Sequence, residues 1–96
     1  MIRHIVLFTL KGDKVAATAH LKAELEGLLG QVEGLRSLRV DADGSGIDFH
    51  WDAALVSEHD SWEALAAYQA HPEHRRILEE VVPLHAEQKA VVDHEL

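Results

Sequence analysis

The chain has 96 residues, 47% of them hydrophobic and 27% charged, which is the balance of a folded domain with one core and no material for a second. Seventeen acids against nine Lys and Arg give a formal charge of -8, and no basic stripe is present to hold nucleic acid or an anionic membrane. The absence of cysteine excludes disulfides, thiolate nucleophiles and Cys-ligated metals. The apolar run near the start is too short to span a membrane and is not followed by a small-residue cleavage site, so a cytoplasmic location is expected.

Residues 3–10 alternate two apolar sets, His4, Val6, Phe8 and Leu10 on one face and Ile5, Leu7 and Thr9 on the other, and read as a strand. "KGD" at 11–13 is a turn. Leu21, Leu25, Leu28, Leu29 and Val32 then recur at helical spacing until Gly30 and Gly34 mark the end. "LRSLRVDA" at 35–42 reads as a strand with Leu38 and Val40 inward, and "DADGSG" at 41–46 as a hairpin loop leading into a strand over 47–56. In that strand Asp48, His50 and Asp52 form a solvated polar rim. Asp60 with Glu63 has capping-box spacing and predicts a helix from Asp60 to about Ala70. Pro72 opens a further helix to about Val81, Pro83 terminates it, and 88–96 is a last strand.

This order, over a single domain spanning 1–96, predicts an α+β, ferredoxin-like βαββαβ sandwich with helices on one face of a four-stranded antiparallel sheet. The face without helices carries aliphatic side chains on its first and last strands. An identical face from a second chain is its expected cover, giving a homodimeric α+β barrel.

Tyr68 and His71 lie three positions apart, about 60° around a helix, and His74 falls in the first turn of the next helix. Two readings stand side by side: a pocket lined by phenol and imidazole, or a helix junction in which His71 caps the second helix and His74 is solvated. His4 shares its face with Val6 and Phe8, as a hydrogen-bonded core residue or as a neutral imidazole suited to act as general base. Val6, Phe8 and His71 are expected to line the pocket. His71 and His74 have the spacing of two metal ligands, but no carboxylate or third histidine completes a set, so no metal is expected. Nucleophile-elbow, phosphate-loop and dinucleotide signatures are absent from the sequence, and no cofactor is expected.

"RHIVLFTLK", "VEGLRSLRV", "WDAALVSEHDSWEALAAYQAHPEH" and "VVPLHAEQKAVVDHEL" together resemble the stress-responsive dimeric α+β barrel (Dabb) family over nearly the whole chain. The resemblance implies a ferredoxin-like protomer and a homodimer. Its cyclase-like members imply a base at His4, with Tyr68 and His74 beside it between sheet and helices. Two positions depart from the family pattern, His59 where an aromatic is frequent and His94 where a tyrosine is frequent. The first functional reading is a cofactor-independent cyclase-like or proton-transfer enzyme acting on a small, partly apolar carbonyl compound of polyketide type. In it His4 removes a proton while Tyr68 and His74 donate hydrogen bonds to the oxyanion. The alternative is a non-catalytic dimer, stress-associated or binding a hydrophobic ligand. A heme-degrading or oxygenase role rests on fold analogy alone.

Overall fold

The computed structural model describes all 96 residues. The elements run β1 (Ile2–Leu10), α1 (Lys14–Glu26), β2 (Leu35–Ala42), β3 (Ala53–His59), α2 (Trp62–Ala70), α3 (Pro72–Glu80), α4 (Val82–His85) and β4 (Ala86–Glu95). The four strands form one sheet in the order β2-β3-β1-β4, with every neighbouring pair antiparallel. This is the ferredoxin-like α+β arrangement that the order of elements predicts.

Local chemistry moves several boundaries. Asp13 caps α1 by accepting from the Ala16 N–H at 3.1 Å, and the helix stops at Glu26, short of Gly30. Leu28 and Val32 remain buried, but from the turns that follow; leucine spacing outlasts the helix because those turns also pack on the core. The strand expected over 47–56 begins only at Ala53. Ile47, Phe49 and Trp51 alternate as a strand would, yet they lie in the loop, with Phe49 82% exposed. The expected polar rim is not a strand face either: His50 bonds Asp43 and Ser45 within the loop. The Asp52 carboxylate accepts from the Leu10 N–H at 2.7 Å and from Lys14 Nζ at 2.9 Å.

At the next helix Ser61, not Asp60, is the cap, accepting from the Ala64 N–H at 3.1 Å. Asp60 is occupied by Arg36, whose Nε and an Nη donate to its two oxygens at 2.6 and 2.8 Å. Pro83 does not end a helix. It sits in the first turn of α4, where its missing N–H costs nothing. β4 starts at Ala86, two residues before the expected position.

Nineteen buried apolar side chains form one core between the helices and the inner face of the sheet, among them Val6, Phe8, Leu21, Leu25, Leu38, Val40, Leu55 and Ile77. Gly34 allows α2 to approach closely: its φ is +84°, and a Cβ there would lie 2.7 Å from Ala64 Cβ. The outer face is bare. There Ile5 stands opposite Val56 on β3 and Val92 on β4, and Leu7 opposite Ala54 and Ala90. Leu7, Val56 and Val92 are 40%, 37% and 61% exposed, beside an Arg3–Glu58 ion pair at 2.7 Å. None of these aliphatic residues belongs to the core cluster.

Candidate active site

His4 points inward because it shares the pleat of β1 with Ile2, Val6 and Phe8, all buried. The antiparallel register sets Asp93 of β4 directly opposite it, and His4 Nδ1 lies 2.5 Å from Asp93 Oδ1. A carboxylate accepts only, so in the neutral ring the proton sits on Nδ1, and Nε2, which has no protein partner, is the free acceptor. The imidazole is thereby fixed in both orientation and tautomer.

Tyr68 and His74 arrive from the helix side. Leu65 and Tyr68 form the buried stripe of α2, and His74 and Ile77 that of α3. His71 is extended at the junction, with φ -61° and ψ 134°, as Pro72 requires of its predecessor. This turn brings the Tyr68 and His74 rings to 4.3 Å between centroids, and Tyr68 lies 6.2 Å from His4. His74 Nδ1–H donates to the Gln69 carbonyl at 3.1 Å, so in the neutral ring Nε2 is an acceptor. Burial lowers the His74 pKa, opposed by the bond to Gln69, with positive charge at His4 and Lys89 lowering it further. Tyr68 is fully buried, and its hydroxyl has no hydrogen-bond partner. Burial raises the pKa of this phenol well above its ordinary value, so it remains a proton donor.

His4, Tyr68 and His74 line one cavity of about 250 Å³ with Val6, Phe8 and Val91 on its apolar side. The side chains of His4, Tyr68 and His74 thus border one apolar space of ligand size.

A family model described as the stress responsive A/B barrel domain (Dabb) matches residues 2–96. The chain belongs to the Dabb family. No curated protein sequence matches it. Among solved structures, it is similar to a dimeric ferredoxin-like protein of unknown function from Bacteroides fragilis, at 29% identity and TM-score 0.86, covering 99% of this chain and 95% of that one. A dimeric ferredoxin-like protein of unknown function from Thermobifida fusca is 26% identical with TM-score 0.85, covering 99% and 90%. The hydroxynitrile lyase of Passiflora edulis shares the fold at 16% identity and TM-score 0.83, covering 99% and 92%.

Not every expected residue of this Dabb chain reaches the cavity. His71 does not line it; its Nδ1 accepts from the Glu73 N–H at 3.1 Å, so the ring caps α3 and is used up in holding the junction. His94 lies on the other pleat of β4 from Asp93, with Arg3 as its register partner. Its Nδ1–H donates to the Glu95 carbonyl at 3.0 Å, which keeps the ring on the outer face of the sheet.

His59 is fully buried at the end of β3, where it bonds Ser57 Oγ through Nε2 at 2.8 Å and packs against Tyr68 with ring centroids 4.8 Å apart. Burial first, and then positive charge at His4, lower its pKa from 6.5 to about 4, against an opposing pull from Asp93. The ring is therefore neutral and fills the space behind Tyr68 as another aromatic would. Asp93 is the residue that periodicity alone misses. Its signal lies in the pairing of the last strand with the first, and the register that makes it His4's neighbour depends on where β4 begins.

Proposed function

We propose that the protein is a homodimer whose cavity catalyses cofactor-independent proton transfer next to a carbonyl in a small, partly apolar compound of polyketide type. The observation that carries this reading is the unpartnered Tyr68 hydroxyl, buried beside an imidazole that Asp93 orients. An unsatisfied buried hydroxyl costs stability, and a substrate oxygen is the partner that removes the cost. The dimeric structures from Bacteroides fragilis and Thermobifida fusca, together with the bare aliphatic sheet face, support the homodimer. The Passiflora hydroxynitrile lyase supports turnover in this architecture.

In the proposed cycle His4 Nε2 takes the proton from the carbon beside the carbonyl, the C–H electron pair forms the enolate C=C bond, and the carbonyl π pair moves onto oxygen. Asp93 stabilises the imidazolium formed, and the Tyr68 O–H donates to the enolate oxygen. The enolate carbon then attacks a second carbonyl of the same molecule, and the proton on His4 passes to the new alkoxide. His74 takes a different part from the second oxyanion donor that its family position suggests. With Nδ1–H committed to Gln69, its neutral ring accepts a hydrogen bond from a substrate hydroxyl or enol.

The test is deuterium exchange at the carbon beside the carbonyl of 4-phenylbutan-2-one in D2O, followed by NMR without any cofactor. The wild type accelerates exchange over buffer, and His4→Ala lowers the enzymatic rate about a hundredfold, within the range for a lost general base. Tyr68→Phe lowers it similarly without loss of stability, because the deleted hydroxyl has no partner to leave behind. Binding of the ketone without any acceleration by the wild type favours the non-catalytic, ligand-binding reading instead.

A further inference from the structure

The one lysine that lines the cavity, Lys89, has no part in that cycle. Lys89 stands on β4 two residues before Val91 and four before Asp93, so all three share the pleat that faces the helices. Its register partner is Phe8, on the cavity floor. Lys14 and Lys22 are held by carboxylates, Asp52 and Glu26, whereas the Lys89 ammonium makes no hydrogen bond or ion pair. β4 is an edge strand, and Lys89 is exposed where the cavity meets solvent. Its apolar stem can lie along Phe8 and Val91 while its charged end reaches the opening.

We propose that Lys89 is the specificity residue of this cavity, selecting substrates that carry a single carboxylate at the end remote from the reacting carbonyl. The proposal rests on the same cavity as the proton-transfer reading, and on its shape and charge alone. An ammonium beside apolar walls gains more from an anion than it does in open water, and it supplies a strong charge-assisted hydrogen bond. The net charge decides which anion. A chain at -8 with one free cation at the opening favours a monoanion and repels a phosphate dianion or a polyphosphate carrier. Size points the same way, because about 250 Å³ holds about a dozen non-hydrogen atoms. The substrate class is thus a small keto acid, with its carboxylate at Lys89 and its ketone between His4 and Tyr68.

Calorimetric titration with three probes of one shape tests this: 3-phenylpropionate, its neutral amide 3-phenylpropionamide, and 2-phenylethyl phosphate. The wild type binds the carboxylate about tenfold more tightly than the amide, as a partly desolvated ion pair requires, and binds the phosphate more weakly than the carboxylate. Lys89→Met abolishes the preference for carboxylate, and Lys89→Arg retains it. The proposal is overturned if the amide matches the carboxylate in the wild type, if the preference survives Lys89→Met, if the phosphate binds best, or if none of the three binds at millimolar concentration. His4→Gln, which lacks the base, keeps the carboxylate preference. Failure of the proton-transfer reading is therefore distinguishable from failure of this one.

Discussion

Val56→Asp is expected to give a folded monomer, with the dissociation constant of the proposed dimer raised about a thousandfold, equivalent to about 4 kcal/mol. Val56 lies on the bare outer face, opposite Ile5 of β1 and Arg39 of β2. In a two-fold dimer every substitution enters twice, and a carboxylate placed between two aliphatic faces loses its water while the neighbouring Arg39 is already paired with Asp41. The fold survives because the core lies on the other side of the sheet and contains neither Ile5, Leu7, Val56 nor Val92. Sedimentation at micromolar concentration checks both halves. The wild type runs at twice the 10.7 kDa protomer mass and the variant at that mass, with an unchanged far-ultraviolet spectrum. A monomeric wild type, or a variant that still pairs, contradicts the proposed barrel.

The second large effect is on pH. The folded-state pKa of His59 is about 4 against 6.5 for the free side chain, so below pH 6.5 the unfolded chain binds the proton that the folded chain refuses. Its contribution is complete above about pH 6.5 and is lost as pH falls toward 4. A single group displaced this far costs about 1.4 kcal/mol per pH unit inside that window, or about 3 kcal/mol in all. His74, also displaced downward by burial, adds to the slope. Urea unfolding at fixed protein concentration between pH 7 and 4.5 measures the loss, and His59→Phe flattens the curve by about 1.4 kcal/mol per unit. Parallel curves for the two proteins contradict a neutral, buried His59. At pH 7 the variant leaves Ser57 Oγ without its partner, a separate cost of about 1 kcal/mol that does not vary with pH.

These effects trace back to features that differ in how far the sequence reveals them. The alternation in β1 gives the face of His4, and Pro72 gives the helix break that turns His74 toward Tyr68. Both depend on spacing within a few residues, where side-chain geometry is nearly fixed. The β3 boundary is hidden because Ile47, Phe49 and Trp51 alternate like strand residues while lying in a loop. The role of Asp93 depends on register across 89 residues of chain separation, and that of Lys89 on which edge strand borders the cavity. His71 illustrates the opposite difficulty. Its spacing suits a pocket and a helix cap equally, and only the position of the Glu73 N–H decides for the cap.

If the Tyr68 hydroxyl and His4 Nε2 face one ligand, a crystal structure with m-cresol reveals it, because the phenolic oxygen stands in for the enolate oxygen and the ring fills the apolar space. The cresol oxygen is expected about 2.7 Å from Tyr68 Oη, with the ring against Val6 and Phe8. Cresol on the outer sheet face, or in the cavity with Tyr68 still unpartnered, contradicts a shared ligand and the proton-transfer site with it.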